Sequence, residues 1–334
     1  MVKYIIKRIL LMIPVLLGVS ILVFLLQLFT PGDPADIALG YTASEEAVYE
    51  WKEQYGLNDS IVVQYGNYMW KLITKGDMGI SYRTGTSINT ELSKRWPISF
   101  KMAIIATCIA SAIGIPLGIV SAKNRGKFLD AFARLFGIAG ISIPVFWLAF
   151  LFVMLFSIQL RLLPVSGLFS LKHWILPSVT IGIVSSASIL RVTRSSVLDN
   201  ISADYVRTAR AKGQTEKVIM RHHILRNSLI PIVTSVATQF AAAIGSSAVV
   251  ETVFVVNGMG NSTLSAINNR DFALLRACVL LIAVSVCVIN LLADLGFALI
   301  DPRVKSRFSN SVKHAKKFQL KEAAINDGKE KSKP

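Results

Sequence analysis

The chain has 334 residues, of which 53% are hydrophobic and only 17% charged, and its formal net charge is +16 at pH 7. Its mean hydropathy of +0.54 is more than a soluble core of this size requires. The composition therefore excludes a water-soluble enzyme, a disordered scaffold and a disulfide-stapled secreted domain, and predicts a surface that mostly faces lipid.

Six apolar stretches are long enough to cross a bilayer, which takes about 20 helical residues. They cover residues 9–29, 100–121, 135–158, 174–190, 229–250 and 272–300, and the fourth is the shortest. Basic residues precede the first stretch, as in a signal peptide, but its apolar run is too long and no A-x-A cleavage site follows. We expect a retained membrane anchor.

Basic residues are distributed unequally between the two sides of these spans. With the N-terminus inside, the inner segments carry 25 of the 36 Lys and Arg residues and the outer segments 10, counting Arg276 near the outer end of the sixth stretch. This positive-inside asymmetry predicts a multi-pass protein of the bacterial plasma membrane with both termini in the cytoplasm. It also explains the positive charge through topology and lipid headgroups, without nucleic acid as a partner.

The segments divide the chain into four parts. Residues 1–29 form the anchor, residues 30–98 an extracytoplasmic cap with short helices, and residues 99–300 a five-helix core. The tail, residues 301–334, is rich in lysine and poor in apolar residues, which is typical of a solvated end. The predicted fold is an all-α integral membrane protein with six transmembrane helices.

Catalytic signatures are missing from the sequence. It has no G-x-x-x-x-G-K-[ST], H-E-x-x-H or G-x-S-x-G pattern, so we expect no catalytic residue and any ATP to be bound by another chain. His222 and His223 lie beside Arg221 and Arg226, which disfavours a metal site. Asp294 is the ionisable residue identified inside a span, and we hypothesise Arg191 or Arg194 as its partner.

The most informative segment is residues 199–228, between the fourth and fifth spans. Good helix formers run from Asp204 to Lys212, and Gly213 can adopt the left-handed conformation that ends a helix. Ser202 or Asp199 can cap the N-terminus of that helix. The segment predicts a short helix outside the bilayer, with small residues for close approach and basic side chains for a partner.

Several motifs carry a family resemblance. The stretch Asp204-Tyr-Val-Arg-Thr-Ala-Arg-Ala-Lys-Gly213, followed by His223-Ile-Leu-Arg-Asn-Ser-Leu-Ile-Pro231, resembles the cytoplasmic EAA loop of ABC-importer permeases of the peptide/nickel branch. The resemblance extends to about residue 307 and includes Pro31-Gly-Asp-Pro34, Gly76-Asp-Met-Gly-Ile-Ser81, Val250-Glu-Thr-Val-Phe254 and Asp301-Pro-Arg303. Relative to the general EAA consensus, Arg207 and Thr208 replace the Glu and the first Ala.

This resemblance implies a type I (MetI-like) importer permease core that is not an enzyme. A helix over residues 204–212 would dock in a cleft of a cytoplasmic ATPase, with Ala209 and Gly213 setting the close approach. The residues implied in coupling are Tyr205, Arg207, Thr208, Ala209, Arg210, Ala211, Lys212 and Gly213. The implied partners are a second permease, two ATPase subunits that bind ATP and Mg²⁺, and an extracytoplasmic solute-binding protein.

Polar side chains inside the spans are candidates for lining a solute pathway. They are Ser185, Ser188, Thr234, Thr238, Gln239 and Ser246, although hydroxyl groups also bond to their own helix backbone. We expect an importer of di- and oligopeptides, with nickel (as a metal complex) or glutathione as alternatives. A multi-pass membrane enzyme and a secondary transporter are the alternatives from other classes.

Overall fold

A computed structural model describes residues 2–29, 33–40 and 42–300. The tail 301–334 and residues 31 and 32 of the Pro31-Gly-Asp-Pro34 motif lie outside the described residues. Within them the chain is helical, and the one β-type contact is an isolated bridge between Ile80 and Ser87. The predicted all-α class is confirmed.

The helices follow one another in a simple order. They are α1 (Val2–Phe29), α2 (Pro34–Leu39), α3 (Glu45–Gln54), α4 (Ile61–Lys75), α5 (Ile88–Lys123), α6 (Phe128–Ser142), α7 (Val145–Phe152), α8 (Ile175–Ile201), α9 (Asp204–Ala211), α10 (Glu216–Val218), α11 (Leu225–Val253), α12 (Met259–Asn268) and α13 (Phe272–Ile300). Two π-helical turns, Val153–Gln159 and Ile219–Ile224, extend α7 and precede α11, and a 3-10 turn, Leu171–Trp174, precedes α8.

Among the described residues, five helical stretches are long and apolar enough to cross a membrane: Ile5–Gln27, Ile88–Lys123, Leu171–Ile201, Glu216–Val253 and Phe272–Gly296. A sixth span arises if α6 and α7 count as one. The predicted continuous helix over residues 135–158 is wrong, because α6 and α7 meet at 101°. Pro144 explains the break, since a proline holds the preceding residue in an extended conformation, and Ile143 has φ −78° and ψ 121°.

The fourth predicted span, residues 174–190, is too short. The helix α8 continues to Ile201, and within its span an apolar stretch of 18 residues is 61% buried, the largest share among the five spans. Protein covers most of this helix, and its continuation carries two arginines: Arg194, which pairs with Asp130, and Arg191, which is exposed. A hydropathy pattern ends at the first charge and therefore misses this extension.

Close backbone packing of α5 on α8 forms the centre of the bundle. A Cβ added to Gly114 would lie 2.6 Å from the Ser186 carbonyl oxygen, and one added to Gly118 would lie 2.6 Å from Cβ of Thr193. The Gly114-Ile-Pro-Leu-Gly118 motif thus serves packing within the chain, in the manner of small residues between membrane helices. The main apolar core beside it includes Met102, Ala106, Phe240 and Phe254.

The bundle has two distinct ends. The cap end carries the short helices α2 to α4 between α1 and α5, as predicted, and the loop end carries α9. At the cap end, Asp271 accepts hydrogen bonds from the Ser81 hydroxyl and the Tyr82 backbone N–H, and the Tyr82 hydroxyl lies 3.0 Å from Nη2 of Arg276. These contacts fix the loop before α5 to the start of α13.

Candidate coupling site

The helix α9 begins at Asp204, as the sequence predicts, and ends at Ala211, one residue before the predicted end, but its N-terminus is formed differently. Ala203 is the N-cap residue and makes no side-chain cap hydrogen bond. The predicted capping by Ser202 or Asp199 is wrong, because the Ser202 hydroxyl donates backward to the Leu198 and Asp199 carbonyl groups at 3.2 and 3.1 Å. Ser202 therefore closes α8 instead of opening α9.

Gly213 ends the helix in the predicted left-handed conformation. Its φ is +76°, and its N–H donates to the Arg210 carbonyl at 2.9 Å. A Cβ built on Gly213 meets nothing within 4 Å. Glycine is required here by the backbone angle and not by lack of space.

The inner face of α9 is apolar and holds the helix on the bundle. Val206 and Ala209 are buried in a cluster with Val197 of α8 and with Ile219 and Ile224. The predicted role of Ala209 in approaching a partner needs correction, since this side chain is 5% exposed and faces its own chain. Its small size sets how closely α9 approaches the bundle.

The other predicted coupling residues form an exposed outer face: Tyr205, Arg207, Thr208, Arg210, Ala211, Lys212 and Gly213. Arg210 is held by Glu216 through two contacts, Nε to Oε1 at 2.6 Å and Nη2 to Oε2 at 3.2 Å. This carboxylate raises the pKa of Arg210 above its ordinary value. Arg207 and Lys212 present further positive charge beside it.

Tyr205 links the outer face to two long helices. Its hydroxyl donates to the Asn200 side-chain oxygen on α8, and Nδ2 of Asn200 donates to the Ser228 hydroxyl on α11 at 3.0 Å. Asn200 also donates to the Ser196 carbonyl at 2.8 Å. The chain of hydrogen bonds connects α9 with α8 and α11, a link that the sequence did not reveal.

A buried carboxylate lies at the same end of the bundle. Asp130 of α6, 1% exposed, pairs with Arg194 of α8 and accepts a hydrogen bond from the Ser121 hydroxyl of α5 at 2.7 Å. Sequence reasoning missed Asp130, although an acidic residue in the first turn of a helix is a recognisable signal. It also missed Arg276, a buried cation in the second turn of α13.

Asp294 has a different partner from the one predicted. It pairs with Arg8 of α1, and the hypothesis of Arg191 or Arg194 is wrong. The physical reason is packing: α1 lies against α13, whereas Arg194 is held by Asp130.

Two pathway candidates share a groove with this pair, and the others do not. Thr234 and Thr238 line an open groove of about 430 Å³ with Arg8 and Asp294. Their hydroxyls donate to the Ile230 and Thr234 carbonyl groups, as helical hydroxyls often do. Of the remaining candidates, Ser185 is buried in α8, Ser188 and Gln239 are half-buried, and Ser246 is exposed.

Histidine and cysteine side chains form no metal centre in the part of the chain that the structure describes. No group of three or more His, Cys, Asp or Glu side chains has suitable positions there. His223 instead lies 2.8 Å from the Gln214 side-chain oxygen.

Comparison with known proteins identifies the family of the chain. The binding-protein-dependent transport system inner membrane component family matches residues 114–306, and the corresponding N-terminal family matches residues 1–103. The dipeptide transport system permease protein DppB of Alkalihalophilus pseudofirmus is 36% identical, over 91% of this chain and 100% of the relative. The glutathione transport system permease protein GsiC of Escherichia coli K12 is also 36% identical, over 91% of this chain and 99% of the relative.

A solved structure has the same fold. A chain of the MetNI methionine ABC transporter in an inward-facing conformation aligns with a TM-score of 0.53 and 18% identity, covering 63% of this chain and 96% of that one. The shared part supports the predicted type I importer permease core. The chain therefore belongs to the family of inner membrane components of binding-protein-dependent transport systems, and it is a multi-pass ABC importer permease rather than an enzyme.

Proposed function

We propose that this permease subunit moves short peptides into the cytoplasm. The observation that carries the substrate class is the 36% identity to a dipeptide permease and to a glutathione permease, each over nine-tenths of this chain. Glutathione is itself a tripeptide, so the two named substrates share one chemistry. Glutathione is the specific second candidate.

The energy for transport comes from outside the chain. ATP and Mg²⁺ are bound by two ATPase subunits, one of which receives the outer face of α9. The exposed cations Arg207, Arg210 and Lys212 orient that contact with acidic or carbonyl groups of the ATPase. Because α9 is held by Val206 and Ala209 and linked through Tyr205, a pull on it moves α8 and α11 as rigid bodies.

Two further partners are a second permease and a solute-binding protein. A second, related permease completes the pathway. Thr234 and Thr238 remain candidates for lining it, because both lie in the open groove between α1, α11 and α13. The loop end lies in the cytoplasm and the cap end outside, where a solute-binding protein delivers the peptide. The loop Gly76-Asp-Met-Gly-Ile-Ser81 is presented at this outer end, with the Met78 N–H held by the Asn89 side chain at 2.8 Å.

Uptake in intact cells tests the substrate. Labelled dipeptides, tripeptides, glutathione and nickel are supplied to cells with the chain, without it, and with it restored. We expect loss and recovery of peptide uptake. Unchanged peptide uptake combined with loss of nickel uptake would reassign the substrate while leaving the fold intact.

Copurification separates this function from the other classes. An importer permease is expected to bring a second permease and two ATPase chains from a mild detergent extract. A secondary transporter or a membrane enzyme would be active alone after reconstitution, and activity of the isolated chain would contradict the proposal.

A further inference from the structure

The cap helix α4 is apolar over a wider arc than the protein covers. One side of it packs on the bundle: the Tyr65 ring lies 5.3 Å from that of Phe24 on α1, and its hydroxyl lies 2.8 Å from Ser20 Oγ. Tyr68 on the same side lies beneath the guanidinium group of Arg276, 5.1 Å from the ring centre. These contacts fix which way the helix faces.

A second apolar side of α4 is open. Val62, Gly66, Trp70 and Ile73, here called the α4 stripe, follow one another at spacings of three and four residues and so share one face. Val62 is 80% exposed, Trp70 69% and Ile73 74%. The polar residues of the helix, which include Asn67, Lys71, Thr74 and Lys75, lie on a separate side. This division is typical of a helix that lies in a membrane interface.

The depth of α4 agrees with such a position. Its partners Ser20 and Phe24 lie seven and three residues before the end of the apolar stretch Ile5–Gln27, which is about 10 and 5 Å at 1.5 Å per residue. Arg276 is four residues inside the stretch Phe272–Gly296, or about 6 Å. The side chains of α4 thus reach the level where headgroups give way to acyl chains.

The part of α1 that α4 contacts also carries exposed apolar side chains. Ile21, Leu22 and Leu25 of α1 are 45, 59 and 41% exposed, in the same turns that carry Ser20 and Phe24. Tryptophan prefers the membrane interface, and lysine side chains can reach phosphate groups from it. Lys71 and Lys75 are exposed toward the C-terminal end of α4.

We propose that α4 is an interfacial helix whose stripe inserts into the lipid leaflet on the cap side, with Lys71 and Lys75 at the headgroups. The contact anchors the cap on the bilayer as well as on α1 and α13. This role concerns lipid and does not depend on which solute is transported.

Spin labelling tests the proposal. The full chain is purified with its copurifying subunits and reconstituted in vesicles of phosphatidylethanolamine and phosphatidylglycerol. Cys108, Cys278 and Cys287 are first replaced by alanine, and labels are placed through Ile73→Cys on the stripe or Asn67→Cys on the polar side. Collisions with oxygen, which concentrates in lipid, are compared with collisions with a water-soluble nickel chelate.

We expect the label at position 73 to collide several-fold more with oxygen than with the chelate, and the label at position 67 to show the opposite. Equal access of the chelate to both positions would overturn the proposal in favour of water. Shielding of position 73 from both reagents would overturn it in favour of a protein partner such as the second permease.

A second measurement tests the proposal without the cysteine variants, in case these do not fold. Brominated lipids quench tryptophan fluorescence only over short distances, and the difference between the native chain and Trp70→Phe isolates Trp70. We expect this difference signal to be quenched by bromine near the headgroups. A difference signal insensitive to the brominated lipid would also overturn the proposal.

Discussion

Arg194 of α8 holds Asp130 of α6 through a two-point ion pair, with Nε to Oδ1 at 2.8 Å and Nη2 to Oδ2 at 3.1 Å. The same carboxylate accepts hydrogen bonds from Ser121 of α5 and from the Gly126 backbone N–H at 3.0 Å. One buried side chain therefore joins three helices at the loop end, beside the cluster on which α9 rests.

Replacing Asp130 by Asn is expected to destabilise the chain. The change leaves the largely buried Arg194 without a counter-charge, and breaking such a pair costs about 3 kcal/mol. The melting temperature of the purified complex should fall by several degrees. The control is Arg134→Gln. The guanidinium of Arg134 is 3.7 Å from Asp130 and more than half exposed, so its removal should change the free energy of unfolding by only about 0.5 kcal/mol. Equal melting temperatures for Asp130→Asn and the native chain would show that the network is unimportant.

Gly118→Ala tests the packing of α5 on α8. The added Cβ would lie 2.6 Å from Thr193 Cβ and 2.8 Å from the Leu190 carbonyl oxygen, both on the neighbouring helix. Such overpacking costs about 1–3 kcal/mol, which a thermal melt detects. Gly66→Ala is the matched control, because nothing lies within 4 Å of its Cβ and alanine favours the helix by about 1 kcal/mol. A Gly118→Ala chain as stable as Gly66→Ala would contradict the observed packing.

Gly213→Val is expected to abolish coupling, because a β-branched residue resists φ +76°. Gly213→Asn is the matched variant, since asparagine tolerates the left-handed region, and it should keep most of the transport. The measurement is peptide uptake together with ATP hydrolysis by the reconstituted complex. Normal ATPase stimulation in Gly213→Val would remove α9 from the proposed coupling mechanism.

Ala209→Glu tests the inner face of α9. The substitution places a carboxylate in the cluster of Val206, Val197 and Ile219, where a charge has no partner among the described side chains of that cluster. We expect α9 to detach, so that the ATPase subunits fail to copurify while the spans remain inserted. Ala211→Glu, on the exposed side, is the control for charge alone. Loss of copurification in the control but not in Ala209→Glu would reverse the assignment of the two faces.

Tyr205→Phe removes one hydroxyl from the link between α9 and Asn200. A hydrogen bond of this kind contributes about 1 kcal/mol, so we expect the fold to persist. Transport per ATP hydrolysed should fall, because α9 then moves with less effect on α8 and α11. Tyr49→Phe, at an exposed position of the cap, should leave this ratio unchanged. An unaltered ratio in Tyr205→Phe would mean that apolar packing alone transmits the motion.

The local features of the coupling helix could be predicted because they depend on neighbouring residues. Helix formers from Asp204 onward and a glycine at position 213 determine where α9 begins and ends. Which face of α9 is buried depends on the helices that it packs against. The sequence pattern therefore predicts that Ala209 meets a partner, whereas the side chain packs on its own chain. The predicted N-cap of α9 is wrong for the same reason, because the Ser202 hydroxyl already bonds to the end of α8.

Ion pairs were the least predictable feature. Asp294 pairs with Arg8 from the other end of the sequence, and Asp130 pairs with Arg194, more than 60 residues away. Neither pair has a local signature, because a charge in a helix bundle takes its partner from whichever helix packs beside it.

The sequence by itself determined the membrane class, the approximate spans and the family, because apolar length, charge asymmetry and local motifs do not depend on how the helices pack. Only the tertiary structure decided the 101° break after α6, the length and burial of α8, the partners of the buried charges and the open stripe of α4. These features depend on which surfaces are covered by protein and which remain for lipid, and that division exists only after the helices have packed.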